Sequence, residues 1–319
     1  MTRYLTQRLI SLIPMMIGVS ILVFAAIRLV PGDLITAQLG TEAGMLSDEQ
    51  RQSLEAFYGL DKSPIEQYFI WMGDVLTGNL GLSVRQGQPV LDLILSRFPI
   101  TLELAIISVF IAIIIGIPLG IIAAIYTNTV FDLLARVIAM IGLSVPNFLL
   151  GTLIIYVLSV YFRILPNSGD YVSLTEDPIC NLQQMIFPAL TLGTSFAASV
   201  MRMTRSSMLE VLNEDYIRTG RSKGLAEIFI IRRHALKNAL IPVVTLIGIE
   251  FGYLLGGTFI VEQIFSIPGI GRLTINAITQ RDYALVQGVT LFVAINFVLI
   301  NLLVDTLYTA IDPRVRYDG

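Results

Sequence analysis

The sequence predicts an all-α integral membrane protein with six transmembrane helices. Three observations carry that prediction: the composition, six long apolar runs, and a lopsided distribution of positive charge. Of 319 residues, 55% are hydrophobic and only 14% charged, with a mean hydropathy of +0.75. A single soluble core has no use for so much apolar surface, so the surplus belongs against lipid. A spanning helix needs roughly 20 mostly apolar residues, and candidate runs lie at about 9–30, 101–126, 135–162, 184–204, 236–258 and 284–309.

The first run opens with Arg3 and Arg8 ahead of apolar residues, as a secretory signal does, but it continues to Val30. A signal's apolar core is usually about 7–15 residues long, so an uncleaved first helix is expected. Arg28 at its outer end reads as a side chain snorkelling to the interface. Residues 31–97 follow with nine acidic and four basic residues and the turn signals VPGD, YGLDKSP and LTGNLGLS. They predict a small extracytoplasmic cap between helices one and two, in which LSDEQRQSLEAFYGL forms a capped surface helix.

The fourth run, MIFPALTLGTSFAASVM, is rich in Gly, Ala, Ser and Thr. Small residues let helices approach closely, so this helix is expected in the interior. Pro14, Pro118, Pro146, Pro188 and Pro242 fall within or at the edge of spans. They read either as kinks beside a pathway or as ordinary packing kinks, since neighbours or a water-filled path can satisfy the freed carbonyls. In GLSVPNF, Ser144, Pro146 and Asn147 combine polar atoms with a kink in mid-span, which makes them pathway candidates.

Positive charge sets the orientation. Six spans leave both termini on one side. Arg3, Arg8, Arg136, the fourth-to-fifth link, Arg314 and Arg316 hold thirteen of the twenty-one Lys and Arg residues, so both termini are expected in the cytoplasm. The net charge of -3 is too small to imply a nucleic-acid partner. Cys180 and His234 are the only residues of their types, which leaves no intrachain disulfide and no thiol or imidazole cluster for a metal. No G-x-x-x-x-G-K-[ST], G-x-S-x-G or H-E-x-x-H motif occurs, so no catalytic residues are assigned and ATP hydrolysis is not expected from this chain.

The fourth-to-fifth link, residues 202–237, holds Arg202, Arg205, Arg218, Arg221, Lys223, Arg232, Arg233 and Lys237. Such charge can serve topology or attract anionic headgroups, but neither explains Gly220 and Gly224. A Gly inside a helix costs about 1 kcal/mol relative to Ala, so two between helical flanks predict a sharp break or a close backbone approach. A helix, a break and a second helix would present a short helix to a soluble partner.

At these residues the sequence resembles permease subunits of binding-protein-dependent ABC importers, in the dipeptide, oligopeptide and nickel branch. The family's cytoplasmic motif reads approximately Asp-Tyr-x-Arg-Thr-Ala-Arg-Ala-Lys-Gly-Leu, then Arg-His-Ala-Leu-Arg-Asn-Ala-Leu-x-Pro. Asp215, Tyr216, Arg218, Thr219, Arg221, Lys223, Gly224 and Leu225 match the first part, and Arg233 to Leu236, Asn238 to Leu240 and Pro242 match the second. Gly220 and Ser222 stand where the family usually has alanines. GNLGLSVRQGQPV resembles a Gly-Asp-Leu-Gly-x-Ser motif, with Asn79 at the Asp position. LLGGTFIVEQIFSIPGIGRL and NLLVDTLYTAIDPRVR are similar to further family stretches.

The resemblance implies a type I ABC importer permease fold over residues 1–319, in the bacterial cytoplasmic (inner) membrane. It implies that 205–235 is a coupling loop docked into an ATPase, with the eight residues from Asp215 to Leu225 as its contacts. The implied partners are a second homologous permease, two ATP-binding subunits, an extracytoplasmic solute-binding protein and membrane lipid. This chain would bind no cofactor, and ATP and Mg would sit on the ATPases. Di- or oligopeptides are the implied cargo.

Glu250 lies within the fifth span, where an ionised carboxylate is expensive, and reads as a pathway or substrate-amine contact, as a hydrogen bond to a neighbouring helix, or as the sign of a misplaced span. Asp305 and Asn301 are four apart and share a helical face. Glu262, Phe265, Pro268 and Gly269 form a compact stretch that is a candidate extracytoplasmic gate, although turn chemistry also explains its glycines. Arg281-Asp282-Tyr283 is expected to order the start of the last helix. An ion-coupled secondary transporter using Glu250 and Asp305 is the alternative function.

Overall fold

The computed structural model describes residues 2–29, 44–57, 60–166 and 169–311. Residues 31–43 of the expected cap, the side chain of Asp305, and Arg314 and Arg316 lie outside the described residues. Two compact units emerge, one of Met1–Pro99 with Gly269–Asn296, the other of Ile100–Pro268 with Phe297–Gly319.

The first unit contains α1 (Thr2–Arg28), α2 (Asp48–Phe57), α3 (Pro64–Leu76), a hairpin of β1 (Leu82–Ser83) and β2 (Gln88–Pro89), the start of α4 (Val90–Ile125), α12 (Ile270–Thr279) and the start of α13 (Tyr283–Ile311). Ser47 and Gln50 cap α2 reciprocally through two hydrogen bonds, as the sequence predicts. Ser63 and Glu66 form a second capping box at α3, and the Ser63 backbone N–H holds the Glu66 carboxyl below the usual carboxylate range.

Arg28, at the outer end of the first span, has partners within this unit. Its Nε donates to Gln67 Oε1 at 2.9 Å and its guanidinium lies 3.6 Å above the Phe24 ring, which ties α1 to α3. Val90, Leu93 and Ile94 pack with Ile270, Leu273, Ala277, Leu285 and Val289 in the core of this unit. Beside that core the buried Ser83 hydroxyl donates to the buried Asp282 carboxylate, which also accepts the Leu285 N–H at 3.2 Å. Asp282 thus caps α13, the ordering role expected of Arg281-Asp282-Tyr283, and the Ser of the GNLGLS motif holds that cap.

The second unit contains the rest of α4, then α5 (Val130–Ser144), α6 (Asn147–Val157) with a π turn (Leu158–Phe162), α7 (Pro178–Leu212), α8 (Asp215–Ser222), α9 (Glu227–Phe229) with a π turn (Ile230–Ala235), α10 (Leu236–Gly257) and α11 (Phe259–Ile264). Among the described residues five helices are long and apolar enough to cross a bilayer, six if a bent pair counts as one. The pair is α5 with α6 and its π turn, bent by 98°, so the continuous third run at 135–162 is not one straight helix.

The interior position of the fourth run holds. In its most apolar window α7 is 61% buried, against 22–33% in the other four long helices. Small residues allow this: a Cβ added at Gly116 would fall 2.7 Å from the Ala197 carbonyl oxygen, and one at Gly193 would fall 2.9 Å from Ile111 Cγ2. α4 and α7 meet with backbone nearly on backbone.

Candidate functional site

The basic segment folds as a short, mostly exposed helix on a packed root. α7 continues through Arg205 to Leu212, so the short helix α8 begins only after the turn at Asn213 and Glu214. On α8, Ile217 is 1% exposed and packs with Met208, Ile230, Ile231, Ala235, Ala239 and Ala124. Tyr216 is exposed, but its hydroxyl accepts a 2.8 Å hydrogen bond from Asn238 Nδ2 on α10. The two halves of the cytoplasmic motif are joined by that bond.

α8 ends on a glycine-dependent turn. Gly224 has φ +77° and its N–H donates to the Arg221 carbonyl at 2.9 Å, while the Leu225 N–H donates to the Gly220 carbonyl at 3.3 Å. This pair of bonds is the Schellman arrangement, which requires a left-handed residue at the position of Gly224. The expected break is therefore the work of Gly224 alone. Gly220 is an ordinary helical residue, and an added Cβ would meet Leu225 Cδ1 at a comfortable 3.7 Å. The Ser222 hydroxyl turns back onto the Arg218 carbonyl at 3.0 Å, as does Thr219 onto Asp215 at 2.9 Å.

Arg221 bridges the turn. Its NH2 and Nε donate to the two Glu227 carboxylate oxygens at 2.6 and 3.1 Å, and this hydrogen bonding raises the guanidinium pKa further above its ordinary value. Arg218 reaches Asp215 at 3.5 Å, with both side chains largely in solvent. Around this frame Tyr216, Leu225, Ile228 and Phe229 stay exposed although they are apolar or aromatic. Lys223 sits at the C-cap, also exposed.

A charge cluster that the sequence reading passed over anchors the root. Asp132 on α5 is fully buried. Arg205 Nε and NH2 on α7 donate to its two oxygens at 2.7 and 2.9 Å. The Asn128 N–H adds a 3.1 Å hydrogen bond and Arg136 approaches to 3.5 Å. Asp132 and Arg205 are 73 positions apart, and only the spacing of Asp132 to Arg136, one helical turn, is a local signal.

At the other end of α5 lies the break. Val145 precedes a proline, which disfavours helical backbone, and it adopts φ -82°, ψ 119°, while Pro146 at φ -61°, ψ 139° starts α6. Ser144 is exposed, with its hydroxyl donating to the Met140 carbonyl at 2.7 Å, and Asn147 is half-buried. Of the five prolines singled out, only Pro146 ends a helix. Pro14, Pro118, Pro188 and Pro242 lie inside continuous ones. Glu250 on α10 is half-buried and, among the described residues, has no hydrogen bond or ion pair.

The candidate gate stretch is tightly built. Glu262 is 0% exposed, and one carboxylate oxygen accepts hydroxyls from Thr101 at 2.8 Å and Thr258 at 2.7 Å. Phe265 is 1% exposed and packs in the core with Leu104, Met185 and Ile267. The left-handed residue is Ser266 at φ 56°, whereas Gly269 has an ordinary φ of -91°, so turn chemistry does not account for that glycine. Nearby, burial and the Glu103 carboxylate push the Tyr171 hydroxyl well above its ordinary pKa. It donates to Glu103 at 2.9 Å and accepts from Asn181 at 3.2 Å.

Long apolar helices with a short basic helix between two of them are the features of a multi-pass membrane protein, and comparison with known proteins identifies the family. Residues 116–317 match the family described as binding-protein-dependent transport system inner membrane component, and residues 1–105 match that family's N-terminal component. The chain belongs to this family. It is similar to the glutathione transport system permease protein GsiC of Escherichia coli K12, 42% identical over 318 residues, 99% of this chain and 100% of that one. It is similar also to the dipeptide transport system permease protein DppB of the same strain, 41% identical over 339 residues, with 99% of each chain covered. Among solved structures, the inward-facing MetNI methionine ABC transporter shares its fold, with a TM-score of 0.56 at 20% identity over 69% of this chain and 96% of that one. An amino acid ABC transporter crystallised with histidines does so with a TM-score of 0.51 at 17% identity, over 70% and 94% of the two chains.

Proposed function

We propose that this chain is the permease subunit of an ATP-driven importer for di- and oligopeptides or a related small solute such as glutathione. The chain crosses the bacterial inner membrane six times, with the bent pair α5–α6 as the third span. Both termini lie in the cytoplasm, and 31–97 forms an extracytoplasmic cap. A second, homologous permease supplies the other half of the pathway, two ATPase subunits bind ATP and Mg, and an extracytoplasmic binding protein delivers the solute. The glutathione and dipeptide permeases, similar over nearly the whole chain, support the choice of cargo.

The observation that carries this reading is the exposed surface around α8. α8 is seated through Ile217 while Tyr216, Leu225, Ile228 and Phe229 remain exposed beside Arg218 and Lys223. Exposed apolar and aromatic side chains on α8, the turn after it and α9, in a segment that also exposes Arg218 and Lys223, suit a cleft in a soluble ATPase. Closure of the ATPases would press on α8, and the Asp132–Arg205 pair would pass the displacement from α7 to α5 and its break at Val145-Pro146. Ser144, Pro146, Asn147 and Glu250 are placed along the pathway, and Glu262, Phe265, Pro268 and Gly269 at its outer closure.

Exchanging Arg218–Gly224 for a flexible linker of equal length tests the coupling contact. Import and co-purification of the ATPases should both be lost while membrane insertion is kept, and import at the parental level would sink the reading. An ion-coupled carrier using Glu250 and Asp305 would instead transport without ATPase chains and stop on Glu250→Gln.

A further inference from the structure

In the first unit, α1, α3, residues 79–84 and the start of α13 enclose a cavity of about 490 Å³. Three features set it apart from a packing gap. First, Gln287 on its wall is only 8% exposed, yet its side-chain Nε2 has no hydrogen-bond partner. Buried amide N–H groups are nearly always satisfied, so an acceptor belongs here. Second, the wall carries both signs of charge without pairing them. Lys62 and Asp74, exposed at its mouth, make no ion pair or side-chain hydrogen bond among the described residues, and the half-buried Arg28 uses Nε on Gln67 while its two terminal nitrogens keep their donors free. Third, the cavity lies where two apolar spans end, Ile10–Arg28 and Tyr283–Val304, and Trp71 and Tyr283 line it. Aromatic side chains at that level mark the lipid headgroup region.

We propose that this cavity binds a zwitterionic phospholipid headgroup of the phosphoethanolamine type. The phosphate accepts from Arg28, Lys62 and Gln287 Nε2, and the primary ammonium donates to Asp74. Purely anionic headgroups bring no ammonium N–H to the Asp74 carboxylate, and a quaternary ammonium has none to give it. The glycerol and upper acyl chain lie against Ile27, Ile70 and Leu80. The inference is independent of the cargo and of the ATPase partners.

Trp71 is the only tryptophan in the chain, so its emission reports on this cavity alone. The full chain in detergent is titrated with phosphatidylethanolamine, phosphatidylcholine and phosphatidylglycerol. A saturable change of Trp71 emission is expected with phosphatidylethanolamine, at least fivefold weaker with the other two. Gln287→Leu should weaken it about tenfold, and Asp74→Asn should erase the preference over phosphatidylglycerol, with helix content unchanged by circular dichroism in both variants. Equal binding of all three lipids, or full preference surviving Asp74→Asn, overturns the proposal. Free glycerophosphoethanolamine competing as strongly as the whole lipid overturns the lipid assignment. A soluble dipeptide that saturates the signal in place of lipid assigns the cavity to the transported solute instead.

Discussion

Two arginine–carboxylate forks in the second unit have nearly the same geometry and opposite settings. Arg205 grips Asp132 with bonds of 2.7 and 2.9 Å where the carboxylate is wholly buried. Arg221 grips Glu227 with bonds of 2.6 and 3.1 Å where the side chains are 44% and 53% exposed. The first joins two long helices, the second spans only the turn after α8. Burial, not bond length, separates them: losing one member of a buried pair strands a charge, whereas water replaces an exposed one at little cost. The root of the segment is therefore fixed and its tip adjustable, a division that suits the coupling role proposed for α8.

The sharpest way to break this contrast is Asp132→Ala. Removing the carboxylate leaves Arg205 beside Arg136 with no counter-charge, a loss of about 3 kcal/mol, the lower end for a buried pair because Arg205 is 20% exposed. Thermal unfolding of the detergent-solubilised chain should fall clearly, and exchanging the charges as Asp132→Arg with Arg205→Asp should recover part of it. Unfolding equal to the parent would mean that the buried fork is not a brace.

Next in size is Gly224→Val. A β-branched side chain at φ +77° costs about 1–2 kcal/mol and cannot keep the turn. Because the tip is exposed, the loss should appear less in unfolding than in co-purification of ATPase chains, which is expected to drop severalfold. Equal losses in the two measurements would erase the distinction between root and tip.

These two sites also mark what was legible beforehand. The long apolar helices are legible because hydropathy sums over many residues, with five of them clear among the described residues, and the Gly224 break because glycine acts on its own backbone. The Val145-Pro146 proline was visible, but hydropathy carries no direction, so one apolar run at 135–162 concealed a 98° bend. Asp132 with Arg205, and Ser83 with Asp282, are pairs 73 and 199 positions apart that no local pattern announces. The bond from Arg28 to Gln67 is hidden in the same way, its partner lying 39 positions away on another helix.

A third variant sharpens the account of the tip in the opposite direction. In a Schellman turn an apolar contact between the residues at 220 and 225 commonly supports the hydrogen bonds, and Gly220 offers no side chain for it. Gly220→Ala adds a methyl 3.7 Å from Leu225 Cδ1 and removes the conformational freedom of a mid-helix glycine, for a gain of about 0.5–1 kcal/mol. Amide exchange across 216–225 should slow in the variant. Faster exchange would show that the site needs glycine for a reason other than the turn.

The smallest expected effect belongs to the exposed fork. Glu227→Gln keeps the shape of the side chain and removes its charge, and exposed pairs of this kind contribute about 0.2–1 kcal/mol. Thermal unfolding should move little, and the little should vanish in concentrated salt, where the parental pair is already screened. Import is the informative measurement. If the clasp only tidies the tip before docking, the variant transports near the parental rate. If opening it is part of docking, ATPase affinity rises because the cost of opening has been removed. A fall in affinity together with a large drop in unfolding temperature would make the exposed fork a brace like the buried one, and the two regions would no longer differ in kind.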